Sequence, residues 1–90
     1  MSKTVFVYTM DTCPYCLQMK ELLDESKVVY TERNCDDYEM QYALLVDHTK
    51  NEFIPAIEIR DDEKFTKRYL TPDRDFHDLP DAVTLIKEYL

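Results

Sequence analysis

The run VFVYTMDTCPYC, residues 5–16, joins an apolar segment to two cysteines that are three positions apart. The apolar segment, Thr4–Thr9, is β-branched and aromatic, a pattern that predicts a central strand covered on both faces. After the cysteines, Leu17–Leu23 is amphipathic and predicts a helix. A Cys-x-x-Cys pair between a strand and a helix favours disulfide chemistry, whereas the same pair in an irregular loop would indicate much less.

Helical and extended patterns alternate along the rest of the chain. The predicted elements are, in chain order, a strand at 4–9, a helix at 14–26, a strand at 28–32, a helix from 36 to about 48, strands at 53–59 and 64–69, and a helix after Asp78. This βαβαββα order in one domain, residues 1–90, indicates an α/β fold with about four strands and three helices on the sheet faces. The first two strands should be parallel and the last two antiparallel.

Spacing also predicts which side chains cap and which face inward. Asp36-Asp37 should cap the second helix, with Asp36 and Glu39 as a capping box. The inward residues of that helix are predicted to be Met40, Ala43, Leu44 and, as a further candidate, Val46. The predicted stripe of the last helix is Ala82, Val83, Ile86, Tyr89 and Leu90. We expect Tyr8, Tyr42 and Tyr89 to face the core with a hydroxyl that reaches water.

Composition narrows the class of protein. The net charge of −8 argues against nucleic-acid partners, which require clustered Lys and Arg. No apolar run approaches the roughly 20 residues that a bilayer requires, and Met1–Thr4 lacks the features of a secretory signal. We therefore expect a cytoplasmic monomer with no membrane partner. In a reducing compartment a Cys-x-x-Cys pair is more often catalytic or metal-binding than structural.

The chain contains no glycine. A glycine-rich phosphate loop is therefore excluded. Turns that need a positive φ must use other residues, and we expect them at Asn34, Asn51 and Asp61-Asp62.

The two cysteines of the motif should differ in exposure. Cys13 would lie at the N-terminus of the first helix, where the helix dipole and unpaired N–H groups stabilise a thiolate, and Pro14 suits the first helical turn. Cys16 lies one turn further on, on the face of Met19 and Leu23, and should be more buried. This asymmetry predicts that Cys13 attacks a substrate disulfide and that Cys16 resolves the mixed disulfide.

A zinc site is the alternative that the same residues allow. Cys35, His48 and His77 could supply ligands beside Cys13 and Cys16. However, the chain has no second Cys-x-x-Cys, and a helix follows where a metal knuckle would require a glycine turn. We therefore expect no metal ligands in this chain.

The Cys-Pro-Tyr-Cys motif, the length, the βαβαββα order and Ile54-Pro55 before the third strand resemble a small dithiol glutaredoxin of the thioredoxin superfamily. The resemblance implies a thioredoxin-like fold and an oxidoreductase that reduces protein disulfides or glutathione mixed disulfides. Glutathione would be a co-substrate with no bound cofactor, and ribonucleotide reductase would be a plausible recipient of electrons. The implied site comprises catalytic Cys13 and Cys16, the substrate-binding residues Tyr15, Ile54 and Pro55 with a cis Ile54–Pro55 bond, and the supporting residues Thr12 and Pro14.

The residues expected to bind glutathione depart from the glutaredoxin pattern. The family's basic residue before the dithiol is replaced by Thr9-Met10-Asp11-Thr12, and Asp11 would repel a glutathione carboxylate. Where the family has a threonine in a Thr-Val-Pro segment, this chain has Phe53 before Ile54-Pro55. Thr71–Phe76 stands where a Gly-Gly element is typical of the family. Two electron donors, glutathione and a thioredoxin reductase, therefore stay open, and an iron–sulfur carrier is a further alternative.

Cys35 follows the second predicted strand, at the edge of the sheet that carries the dithiol. We expect a semi-buried thiol without a catalytic role, because Asp36 and Asp37 beside it should raise its pKa.

Overall fold

The computed structural model describes residues 3–90 and confirms the predicted order and fold class. The elements are β1 (Lys3–Thr9), α1 (Pro14–Glu25), β2 (Thr31–Asn34), α2 (Glu39–Thr49), β3 (Ala56–Asp61), β4 (Thr66–Leu70) and α3 (Leu79–Tyr89). The strands lie in the order β2-β1-β3-β4. As predicted, β1 and β2 are parallel and β3 and β4 are antiparallel, and β1 and β3 are also antiparallel.

The alternation of β1 separates two apolar cores. Val5 and Val7 face α1 and α3, where they belong to a cluster with Met19, Leu23, Ile57, Ala82 and Ile86. Phe6 and Tyr8 face the other side and cluster with Cys35, Leu45 and Ala56. A strand buried on both faces therefore runs directly into the loop that carries the dithiol.

β2 begins three residues later than predicted, because the amides of residues 27 and 28 hydrogen-bond to the end of α1. Lys27 adopts a left-handed conformation with φ of 60°. Its amide donates to the Asp24 carbonyl, and the Val28 amide donates to the Leu23 carbonyl at 2.9 Å. These two bonds form a Schellman motif, which takes Val28 out of the sheet. The strand begins at Thr31, and Val29 is 89% exposed.

The predicted start of α2 is wrong, and so is its predicted inward face except for Val46, which packs against the cluster of Phe6 and Tyr8. The helix begins at Glu39 after an N-cap without a side-chain hydrogen bond, because residues 36–38 form a turn on the backbone and side chain of Asn34. Leu45 and Thr49 are buried, whereas Met40 is 80% and Leu44 is 58% exposed. Residues 42–46 are continuously apolar, so their spacing alone could not identify the inward face.

β3 also begins three residues later than its predicted start at residue 53, whereas α3 keeps its predicted start. β3 begins at Ala56, after Phe53–Pro55, which form its irregular entry. Asp78 caps α3 as predicted, since its carboxylate accepts a hydrogen bond from the Asp81 amide at 2.8 Å. Of the predicted stripe, Ala82, Val83 and Ile86 are buried and Tyr89 packs against them, but Leu90 is half exposed.

None of the expected residues has a positive φ. Within residues 3–90, positive φ occurs at Thr12, Lys27, Lys50, Phe65 and Asp73. Asn34, Asn51 and Asp61 instead use their side-chain oxygens to accept backbone amides two residues ahead. These three residues therefore make Asx-type turns, while other positions, Asp73 among them, adopt the left-handed backbone.

None of the helices described for residues 3–90 has the length and hydropathy required to span a bilayer.

Candidate functional site

The dithiol lies where β1 passes into α1. Cys13 is the N-cap of α1, with an extended backbone, and its Sγ accepts a hydrogen bond from the Cys16 amide at 3.2 Å. Pro14 occupies the first turn, where no amide is needed. The two cysteines have a Cα–Cα distance of 5.2 Å and are paired as a disulfide. Cys16 is 2% exposed and Cys13 is half-buried, so the predicted asymmetry is confirmed.

The loop before Cys13 is held by polar contacts and an unusual backbone. Thr12 is left-handed, with φ of 59°. The carboxylate of Asp11 accepts a hydrogen bond from the Asn34 side-chain amide at 2.9 Å, which joins the loop to the end of β2. The Cys35 amide donates to the Thr9 carbonyl at 2.8 Å, so the hydrogen bonding between β1 and β2 continues one residue beyond Asn34. The thiol edge is therefore formed jointly by the carboxyl ends of β1 and β2.

A groove of about 740 Å³ lies beside the dithiol and is named here the α1–α3 groove. Its lining residues are Tyr15, Gln18, Glu21, Leu22, Glu25, Phe53, Ile54, Pro55, Pro72, Phe76, His77, Asp78, Leu79 and Pro80. It therefore brings together Tyr15, Ile54 and Pro55, and the Ile54–Pro55 bond is cis as expected. Thr12, Cys13, Pro14 and Cys16 adjoin the groove through Tyr15 but do not belong to its lining.

The charge of the α1–α3 groove is negative. Glu21, Glu25 and Asp78 contribute carboxylates, and the lining residues described include neither Lys nor Arg. The sequence prediction did not identify the α3 side of this groove. A usable signal was present, since Phe76, Leu79 and Pro80 are apolar residues around the Asp78 cap in an otherwise polar segment.

Cys35 lies on the opposite face of the sheet from the α1–α3 groove, in the cluster with Phe6 and Tyr8. It is 4% exposed and lines a second groove of about 460 Å³ together with Met10, Tyr42 and several acidic residues. Burial, with a smaller contribution from the Asp36 carboxylate, raises the pKa of Cys35 to about 11. The predicted direction is therefore correct, although burial rather than charge is the main cause.

The two histidines do not join the cysteines. His48 packs against the Tyr69 ring, with centroids 5.3 Å apart, and His77 lines the α1–α3 groove. Within residues 3–90, no three His, Cys, Asp or Glu side chains form a group that could hold a metal ion.

A buried polar cluster supports the strand that leads to the dithiol. Tyr8 donates to the Glu58 carboxylate at 2.8 Å and accepts from the Arg33 guanidinium at 2.8 Å. Arg33 and Arg60 both pair with Glu58, at 3.5 and 3.3 Å. Tyr8 is fully buried, so the expectation that its hydroxyl reaches water is wrong, and burial together with the hydrogen bond to Glu58 raises its pKa. The position of Glu58 between Ile57 and Ile59 was the signal in the sequence for a buried cation nearby.

Structural comparison supports the fold. The maleylacetoacetate isomerase of Anaeromyxobacter dehalogenans, solved with bound dicarboxyethyl glutathione and citrate in its active site, superimposes with a TM-score of 0.61. It is 15% identical in sequence, and the superposition covers 98% of this chain and 37% of the isomerase chain.

Sequence comparison identifies the family. Glutaredoxin 1 of Rickettsia felis is 55% identical over 29 residues, which are 32% of this chain and 28% of that protein. Glutaredoxin 1 of Rickettsia prowazekii is 48% identical over 29 residues, 32% of this chain and 30% of that protein. The match thus spans less than a third of these curated relatives. The sequence model of the Glutaredoxin family matches residues 5–64, a segment that includes both cysteines of the disulfide, and the chain therefore belongs to the Glutaredoxin family.

Proposed function

We propose that this chain is a thiol–disulfide oxidoreductase whose reacting groups are Cys13 and Cys16. The observation that carries the proposal is the position of Cys13 as the N-cap of α1, where its sulfur accepts the Cys16 amide at 3.2 Å. The same N–H group and the helix dipole stabilise a thiolate when the pair is reduced. Thr12 and Pro14 support this geometry, because they set the backbone on either side of Cys13.

Disulfide exchange proceeds in two substitutions at sulfur. The Cys13 thiolate attacks one sulfur of a substrate disulfide, so that a Cys13–substrate bond forms and the second substrate sulfur leaves as a thiolate that takes up a proton. The Cys16 thiol then loses its proton and attacks the Cys13 sulfur. The substrate is released as a dithiol, and two electrons have moved to it from the Cys13–Cys16 pair.

Three residues of the α1–α3 groove are proposed to hold the substrate. Tyr15 is 63% exposed between the cysteines and offers a ring for apolar contact. Ile54 precedes β3, and its backbone is proposed to pair with an extended substrate segment. Pro55 is buried beneath this contact and fixes its direction.

Glutathione is the proposed electron donor. Two glutathione molecules would reduce the Cys13–Cys16 disulfide and leave as one glutathione disulfide, with no bound cofactor. Membership of the Glutaredoxin family supports this donor, and the similar fold of the isomerase holds a glutathione derivative.

A thioredoxin reductase is the second candidate donor, and the charge of the groove favours it. Glutathione carries two carboxylates and one ammonium group, so a groove with Glu21, Glu25 and Asp78 and no lining Lys or Arg disfavours its binding.

A cytoplasmic location fits either donor, because both keep the pair reduced there. Ribonucleotide reductase is the proposed protein recipient by analogy with small glutaredoxins.

The donor can be identified with the oxidised protein and NADPH. Oxidation of NADPH with glutathione and glutathione reductase supports the first donor, and oxidation with thioredoxin reductase alone supports the second. Cys13→Ser should abolish all exchange. Cys16→Ser should retain activity on glutathione mixed disulfides and lose it on protein disulfides. Full activity of Cys13→Ser would overturn the proposed function.

A further inference from the structure

The α1–α3 groove combines apolar and acidic side chains next to the dithiol. Tyr15 and Phe53 are 63% and 62% exposed, so the groove offers accessible aromatic surface together with Ile54 and Pro55. A ligand that fills the groove would bury this surface.

The two glutamates of the groove lie where α1 by itself does not favour them. Glu21 and Glu25 are one helical turn apart, and like charges at this spacing repel. Both lie in the C-terminal half of α1, the electronegative end of a helix. Among the ion pairs found within residues 3–90, none includes either glutamate. A cation supplied by a ligand would therefore relieve this repulsion.

We propose that the α1–α3 groove selects protein disulfides whose flanking segment carries Lys or Arg together with apolar residues. The inference rests on the proposed function and adds its substrate class. The cations lie against Glu21, Glu25 and Asp78, and the apolar residues pack on Tyr15 and Phe53. An arginine gains further from the aromatic rings, whose faces attract cations.

The substrate is an extended polypeptide segment. The groove reaches from Tyr15 of α1 to Leu79 and Pro80 of α3, and its volume of about 740 Å³ exceeds what one side chain fills. An extended segment alternates its side chains, so apolar and cationic residues can contact different parts of the lining.

The proposal is tested with three disulfide peptides that differ only at two positions flanking the reactive cysteine, filled by Lys, Gln or Glu. Pre-reduced protein is mixed with each peptide, and formation of the Cys13–Cys16 disulfide is followed by acid quench and mass spectrometry. The protein loses two thiol protons and two electrons, which the peptide gains. Each rate is divided by the rate with dithiothreitol, which corrects for the intrinsic reactivity of the peptide disulfide.

A pair of double variants separates the groove from net charge. Glu21→Gln with Glu25→Gln removes two groove charges, and Asp24→Asn with Glu88→Gln removes two exposed charges from α1 and α3 outside the lining. We expect the native protein to prefer the Lys peptide over the Glu peptide by about threefold to tenfold, the range that two exposed charge pairs produce. The groove variant should lose most of this preference, and the control variant should keep it.

Salt provides an independent check, since about 0.5 M salt should reduce the preference of the native protein toward unity. Equal corrected rates for the three peptides, or equal losses in the two double variants, would overturn the selectivity while leaving the proposed function intact. Absence of exchange with every peptide and with a small disulfide would instead overturn the proposed function.

Discussion

Replacing Glu58 by leucine should strongly destabilise the fold. Glu58 is 1% exposed and is the shared partner of Tyr8, Arg33 and Arg60. Its loss leaves the Arg33 guanidinium without its carboxylate partner over the Phe6 ring, where its Cζ is 3.6 Å from the ring centroid.

The magnitude follows from the burial of the two arginines. Removing one partner of a buried ion pair costs about 3–5 kcal/mol, because the remaining charge is desolvated. The Arg33 side chain is 10% exposed and should cause most of this loss. The Arg60 side chain is 35% exposed and can turn toward water, so it should add little. We therefore expect Glu58→Leu to lower the free energy of unfolding by about 3–4 kcal/mol.

Urea unfolding followed by far-ultraviolet circular dichroism measures this effect, since the chain has no tryptophan. Arg33→Met added to Glu58→Leu should restore most of the lost stability, because an apolar pair replaces a buried ion pair at little cost. Tyr8→Phe serves as the smaller control and should cost about 1–2 kcal/mol. A loss below about 1 kcal/mol for Glu58→Leu, or no recovery in the double variant, would show that the cluster is not desolvated as described.

Three further outcomes are expected. The Thr9 hydroxyl and then the Lys20 ammonium hold the pKa of Glu32 below its usual value. The stability that these contacts contribute is complete above the unfolded pKa near 4.3 and is lost as the pH falls through the lower folded pKa. Glu32→Gln should therefore weaken the acid dependence of urea unfolding below about pH 4.3. Because the pKa of Cys35 is raised to about 11, iodoacetamide should alkylate it in the oxidised protein at pH 8 at least ~100-fold more slowly than a free cysteine, and comparable rates would contradict its burial. Lys27→Gly should raise the unfolding free energy by about 0.5–1 kcal/mol, because glycine accepts the positive φ that the end of α1 requires, and an unchanged or lower midpoint in urea would contradict this reason.

The sequence predicted the dithiol and its setting because both are local. An apolar strand, a short loop and an amphipathic helix within residues 4–26 are sufficient to place Cys13 at a helix N-terminus. The inward face of α2 was not predictable in the same way, since residues 42–46 offer apolar side chains in every direction. Contact with the sheet selects Leu45 and leaves Met40 and Leu44 exposed.

Features that depend on distant segments were not predicted. The α1–α3 groove joins α1 to residues more than 50 positions later, such as Phe76 and Leu79. The Glu58 cluster likewise combines three strands, β1, β2 and β3, whose relative register sets its distances. Single residues in the sequence indicated that partners must exist, but only the packed sheet identifies which residues they are.

The absence of glycine links the stability of the chain to its site. Within residues 3–90, five residues adopt a left-handed backbone that glycine would accept without cost, and one of them, Thr12, directly precedes Cys13. A β-branched residue in this conformation costs about 1–2 kcal/mol, which the surrounding contacts must offset. The hydrogen bond between Asn34 and Asp11 and the bond from the Cys35 amide to Thr9 provide such contacts, since both tie the loop to β2. Cys13 is therefore held as the N-cap of α1 by the end of a neighbouring strand as well as by its own helix, and weakening the Asn34 contact should affect the geometry of the dithiol before it affects the core.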